Sequence, residues 1–229
     1  MWSRRELKDR AKTGLKRNYW KSVLIGFLVS LMYAAGAASG REGLDGETVS
    51  TTITGLTTGE ILAALGVLLG SVLAASLATA VIHAIIYNPL KVGISQFCMD
   101  AVDGDAKIAA IGSGYKPDFF ANVWALLLRD LFVVLWGLLL VIPGVIKSYE
   151  YRLTEYVLAE NPGIGPKEAM ARSKSLMQGN KWSTFVLDLS FLGWDILNVL
   201  TVGILGTFYV QPYKLLTNAA LYEKLKETN

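Results

Sequence analysis

Residues 121–158 read ANVWALLLRD LFVVLWGLLL VIPGVIKSYE YRLTEYVL, and how this stretch folds decides the architecture. As one helix its 38 residues would be about 57 Å long, nearly two thicknesses of a bilayer's hydrocarbon core. Pro143-Gly144 falls where a reversal belongs, and both residues interrupt helices. A hairpin also accounts for the charge that follows. Lys167, Arg172, Lys174 and Lys181 would face outward after a single crossing and return to the cytoplasm after two, where bases in short loops are favoured.

The same accounting extends outward in both directions. Before the hairpin, a head of 21 residues holds Arg4, Arg5, Lys8, Arg10, Lys12, Lys16, Arg17 and Lys21 against only Glu6 and Asp9, so it stays in the cytoplasm. The uncharged run Ser22 to Gly40 then crosses, and the acidic, Thr- and Gly-rich segment Arg41 to Glu60 suits an outside loop. Ile61 to Leu90 returns without a formal charge. A secretory signal peptide is the alternative for the first run, because Ala35-Gly36-Ala37 resembles a small-residue cleavage site. Against it, the charged head is long and apolar spans recur to the far end. After the second hairpin, Trp182 to Leu200 and Gly203 to about Tyr222 form a last pair, turning near Thr201-Val202-Gly203.

The expected fold is therefore all-α: a polytopic membrane protein with six transmembrane helices as three hairpins, about 22–88, 121–160 and 182–222, with amphipathic interfacial helices. Residues 1–21 are a cytoplasmic amphipathic head, 22–222 one six-helix membrane domain and 223–229 a cytoplasmic tail. Composition agrees, because 52% of the chain is hydrophobic, only 18% is charged and mean hydropathy is +0.40. These values exclude a disordered chain and a basic nucleic-acid-binding domain. A single Cys98 and a single His83 leave no internal disulfide and no zinc-ligand cluster, so only a carboxylate site for magnesium or calcium remains open. No cofactor is expected.

A threefold pattern runs through the sequence. Asn18-Tyr19-Trp20, Asn122-Val123-Trp124 and Asn180-Lys181-Trp182 open the outgoing helices, with Asn expected as a helix N-cap and Trp in the interfacial belt. Asn88-Pro89, Asn161-Pro162 and Gln211-Pro212 place an amide before a proline on the returning helices, where the proline should kink or stop them. An amphipathic segment precedes each hairpin: Leu7, Ala11 and Leu15; Leu90, Ile94, Phe97 and Ala101; Met170, Ser173 and Met177. The repeating unit is an interfacial helix plus a hairpin. Gly112-Ser113-Gly114 reads as a linker and Asp103-Gly104-Asp105 as a turn.

Specific motifs add a family likeness. Leu7-Lys8 through Asn18-Tyr19-Trp20, Leu135-Trp136 through Ile142-Pro143-Gly144 to Tyr149, Leu158 to Pro162, Glu168-Ala169, Ser173-Lys174, Gly179 to Trp182, Gly193-Trp194 and Pro212-Tyr213 resemble an uncharacterised bacterial integral-membrane family, domain of unknown function 975. More distantly the architecture is similar to the membrane domain of glycerophosphodiester phosphodiesterases. No catalytic barrel accompanies it here, so that activity does not carry over. The resemblance implies the bacterial cytoplasmic membrane, multi-pass with both termini inside, and supplies no reaction or catalytic residues.

Charges at membrane depth are costly and mark paired or functional positions. The candidate polar network is Arg129 and Asp130 in the third span, Lys147, Glu150, Arg152 and Glu155 in the fourth, and Asp188 and Asp195 in the fifth. Thr184, Asp188, Phe191, Asp195 and Asn198 share one face of the fifth span, and Lys147, Glu150 or Tyr151, Thr154 and Leu158 one side of the fourth. Buried pairs such as Arg129 or Arg152 with Asp188 would lock the hairpins. A pathway or cation site at Asp188 or Asp195 is the competing reading, and Lys214 and Arg152 are placed to snorkel. Lys8, Lys12, Lys16 and Arg17 are the candidate contacts to anionic lipid headgroups, with Leu7, Ala11 and Leu15 entering the lipid boundary. His83 is expected to hydrogen-bond a neighbouring helix. No Ser-His or Cys-His arrangement appears, and the expectation is that the protein is not an enzyme. The remaining functions are transport through a polar interior, or a non-catalytic membrane scaffold or partner protein in envelope stress or peptide resistance, with an unknown protein partner and no nucleic acid.

Overall fold

The computed structural model describes residues 2–38, 57–115 and 119–228, without the side chains of residues 33–38, 58, 60–61, 72–73, 75–81 and 83. The expected outside loop, as far as residue 56, and the His83 side chain lie outside the described residues. The described elements are all helical: α1 (Arg4–Arg17), α2 (Tyr19–Ala38), α3 (Thr58–Ile82), a π turn (His83–Tyr87), α4 (Asn88–Asp103), a 3-10 segment (Ile108–Tyr115), α5 (Phe119–Leu139), α6 (Val141–Glu150), α7 (Thr154–Glu160), α8 (Pro166–Met177), α9 (Lys181–Leu189), α10 (Leu192–Leu200), a second π turn (Gly206–Val210) and α11 (Gln211–Thr228).

The core lies in α1, α4, α7, α8 and α11 rather than in the most apolar helices. Leu7, Ala11 and Leu15 of α1, Phe97 and Ala101 of α4, Tyr156 of α7, Met177 of α8 and Leu216 and Leu221 of α11 are almost wholly enclosed. This corrects the expectation for the head. Leu7, Ala11 and Leu15 do recur at helical spacing, but their face packs on α4 and α11 and enters no lipid boundary. Likewise Ile94, Phe97 and Ala101 of α4 and Met170, Ser173 and Met177 of α8 are turned inward. An amphipathic stripe reports only that a helix has an apolar face to bury, and here protein covers it. Gly112-Ser113-Gly114 is no linker, since the 3-10 segment holding it lies on α4 so closely that a Cβ at Gly93 would meet the Ile111 carbonyl.

Two helices among the described residues are long and apolar enough to cross a membrane, Phe119–Leu139 and Lys181–Leu200. The reversal after α5 falls at Leu140, whose extended backbone separates α5 from α6, three residues before the expected Pro143. Pro143 sits in the first turn of α6, where a missing N–H costs no helical bond. Thr201-Val202-Gly203 turns as expected, with Val202 at φ 52° and Gly203 at φ 84°. Both tips are bare: Leu138 to Ile142 are 64–80% exposed and Val202 is 91% exposed.

The amide–proline pairs have a common structural consequence at two of their three sites. A π turn immediately precedes Asn88-Pro89, and another precedes Gln211-Pro212. A proline ring collides with the carbonyl four residues back and offers it no N–H, and widening the preceding turn relieves both faults. Asn161-Pro162 instead follows the end of α7. The asparagine triplets are corrected in part: Asn180 does stand at the N-cap position of α9, but no capping bond comes from its side chain. The Asn18 amide donates to the Gly14 and Gly104 carbonyls, Asn122 to Gly114, and Asn180 to Leu176 and Gln178. Each of these side-chain amides bonds carbonyls of the segment before it and not the first N–H groups of the helix after it. Beside them Trp20, Trp124 and Trp182 all point outward, at 77%, 56% and 73% exposure.

Candidate functional site

The charged residues of the hairpins form a layer of ion pairs between helices. From α5, Arg129 donates to Asp130, its own neighbour, at 2.8 Å, and to Glu155 of α7 at 3.3 Å. Arg152 lies in the three-residue break between α6 and α7. It grips both oxygens of Asp188 on α9, at 2.5 and 2.8 Å, and donates to Asn218 of α11. The Tyr149 hydroxyl donates to the same Asp188 carboxylate at 2.8 Å. Glu150, only 8% exposed, accepts from Lys147 at 2.7 Å and from Lys181 of α9 at 2.6 Å. Asp195 of α10 accepts from Lys214 of α11 at 2.5 Å, so Lys214, like Arg152, is paired rather than snorkelling.

All eight residues of the expected network are therefore in ion pairs, and the Arg152–Asp188 pair occurs as anticipated. Arg129 pairs elsewhere. The stripe on the fifth span faces inward along its length, from enclosed Thr184 to Asn198, whose side-chain oxygen accepts the Gly206 N–H at 2.6 Å. The stripe on the fourth span is broken, because α6 ends at Glu150 and α7 begins at Thr154. Buried Ser173 of α8 bridges that break, donating to the Glu150 carbonyl and accepting the Leu153 N–H. It had no sequence signal beyond its place on an amphipathic stripe.

A cavity of about 380 Å³ opens beside this layer, bordered by α2, α4, α5, α6, α7 and α11, with Lys91, Arg129, Asp130, Arg152 and Glu155 among its charged walls. Neither Asp188 nor Asp195 lines it. Lys91, which sequence reasoning passed over, has no carboxylate partner among the described residues. The bases on α1 make contacts within the protein as well. Lys8 reaches back to the Ser190 carbonyl at 3.3 Å with its amine 4.4 Å above the Phe191 ring, and Lys12 stands 6.0 Å from the Tyr213 ring. Arg17 donates to the Asp103 carbonyl, and Lys16 is exposed. Cys98 is buried in α4, and burial pushes its thiol far above the ordinary range. Among the described residues no three of His, Cys, Asp or Glu converge as metal donors.

Chemically this is an interlocking device. Six helices, α5, α6, α7, α9, α10 and α11, and the α6–α7 break exchange charge-assisted bonds, and each acid is held by a base from a different part of the chain except where Asp130 meets its neighbour. No curated protein and no solved structure matches the chain. Residues 123–229, which carry the whole charged layer, match the family described as "Protein of unknown function (DUF975)", the family that the motifs along the chain resemble.

Proposed function

We propose that the protein is an integral protein of the bacterial cytoplasmic membrane that serves as a non-catalytic scaffold or partner, its interior charges holding the hairpins together. Membrane integration rests on the exposed apolar band. On α2 it runs through Trp20, Leu24, Phe27 and Leu31, and on α5 and α9–α10 it runs from Trp124 and Trp182 to the two tips. Sixteen residues of α5 and twenty of α9–α10 make about 24 and 30 Å of helix, close to the hydrocarbon thickness of about 30 Å. The three tryptophans mark one edge of that band, and the enclosed core sits toward the same edge. An exposed apolar surface of this extent has no place in water.

The observation that carries the scaffold reading is the set of ion pairs, since a conducting or coupling carboxylate needs a free state, whereas Asp188 accepts from Arg152 and Tyr149 and Asp195 accepts from Lys214. Transport keeps one observation of its own, the cavity beside Arg129 and Lys91. Cysteine accessibility separates the two, because buried Cys98 leaves a clean background. A Val133→Cys probe in the cavity reached by thiol reagents from both sides of the membrane would favour transport, and reach from one side or neither favours the scaffold. For topology, Thr201→Cys should react from outside intact cells and Ser175→Cys, on the exposed face of α8, only after permeabilisation. Release of the protein by alkaline carbonate would overturn membrane integration altogether.

A further inference from the structure

A strongly basic groove lies between α1 and α9, with a volume of about 880 Å³, and its single acid is Asp9. Arg4, Arg5, Lys8 and Lys12 line one wall, and Trp182, Ser183, Val186 and Ser190 the other. Of these bases only Arg5 has a carboxylate within ion-pair reach, Asp9 at 3.9 Å with both side chains largely in solvent. Elsewhere most bases are matched: Arg10, Lys21, Arg129, Lys147, Arg152, Lys181, Lys214, Lys224 and Lys226 all meet acids. The groove therefore holds an excess of positive charge that the protein leaves unmatched.

We infer that this groove binds the headgroup of an anionic phospholipid, with its phosphate among Arg4, Lys8 and Lys12. The inference rests on the membrane reading above. Burial of Leu7, Ala11 and Leu15 against α4 and α11 fixes α1 as a rigid wall, so the bases act at one place instead of spreading over a bilayer surface. The Lys8 ammonium is held below the usual range, first by burial and then by repulsion from Lys12 and Arg4, and a phosphate relieves that repulsion. The N-terminus of α1 opens into the groove at Ser3 and Arg4, adding the positive end of a helix dipole. A lipid is favoured over a free anion by what continues from the groove. Trp182 stands exposed at its mouth, and Leu189 and Leu192, each 54% exposed, extend the apolar face of α9–α10 beside it, which gives acyl chains a path.

The full-length protein purified in a neutral detergent is titrated with dioleoylphosphatidylglycerol, dioleoylphosphatidylcholine and inorganic phosphate, with bound lipid read by native mass spectrometry. Phosphatidylglycerol should bind more tightly than phosphatidylcholine, and phosphate alone should neither bind comparably nor compete. The R4Q/K8Q/K12Q variant should weaken phosphatidylglycerol binding by about tenfold or more, since each base near an anionic headgroup contributes substantially. K167Q/K174Q, on α8, should bind as the parent does. Equal binding of the two lipids, full retention by the triple variant, or phosphate binding as well as the lipid would each overturn the inference. Should the triple variant misfold, Arg4→Gln alone, on an exposed side chain outside the core, should lose about threefold, and unchanged affinity there counts against the groove. Carbonate release of the parent would sink the membrane reading whatever the lipid result, whereas a retained protein without lipid preference sinks only the groove.

Discussion

Gly137 and Gly144 face each other across the α5–α6 hairpin so closely that a Cβ on Gly144 would lie 2.6 Å from the Gly137 Cα. The obstacle is backbone and cannot swing away. Gly144→Ala should push the two helices apart and lower the melting midpoint, at a cost of about 1–3 kcal/mol. A Cβ on Gly137 meets nothing within 4 Å, so Gly137→Ala should gain up to about 1 kcal/mol from helix propensity. Opposite signs from the two variants, read by thermal unfolding in detergent, test the packing directly.

Asp188→Asn should destabilise the protein by about 1–3 kcal/mol, less than a wholly enclosed pair would lose because its side chain is 36% exposed. It leaves Arg152 without its bidentate partner and Tyr149 without a charged acceptor. Asp195→Asn, which disturbs a single pair with Lys214, should cost less. Equal melting midpoints for Asp188→Asn and the parent would show that the charge layer is not a lock.

Val202 carries the strain of the third hairpin. A β-branched residue at φ 52° is held where side chains collide with their own backbone, and the residue is 91% exposed, so nothing else depends on its side chain. Val202→Asn, which tolerates that conformation, should raise stability by about 1 kcal/mol, as measured by the melting midpoint.

The clamp between α1 and α11 should be pH-dependent. Lys224 donates to Glu6 at 2.9 Å, and its hydrogen bond is the foremost cause of the lowered Glu6 pKa. A folded pKa below the unfolded value means that this stabilisation is present above the unfolded carboxyl's range and is lost as pH falls through the folded one. The Lys224 ammonium is raised by the same bond, so its share is lost only as pH climbs through its folded value. Glu6→Gln should accordingly lower the midpoint at pH 7 and match the parent in strong acid.

The sequence disclosed the all-α class, the hairpin at residues 121–158, the turn at Val202-Gly203 and the charge that must be paired. It did not disclose which surface the amphipathic helices would use. The spacing of Leu7, Ala11 and Leu15 is identical whether lipid or protein covers them, and only the arrival of α11 decides it. The partner of Arg129 was similarly hidden, because Asp130, Glu155 and Asp188 are all acids within plausible reach of a long side chain. Lys91 escaped notice since a lone base in an apolar segment carries no pattern, and the π turns were foreshadowed only by the prolines that cause them.

The packing of α1 on α11 joins the first helix of the chain to the last, and the Arg10–Glu227 contact spans 217 residues. During synthesis at about 5–20 residues per second, α1 leaves the ribosome roughly 10 to 40 s before its partner exists. Through that interval Leu7, Ala11 and Leu15 have no α11 to cover them, and α4 can shield them only in part. If the chain is inserting into a membrane, as proposed above, the bilayer surface is then the nearest apolar phase, so α1 would rest there as a temporary guest and leave when Gln211–Thr228 emerges. Emergence of α11, more than formation of the hairpins, is the event that closes the core.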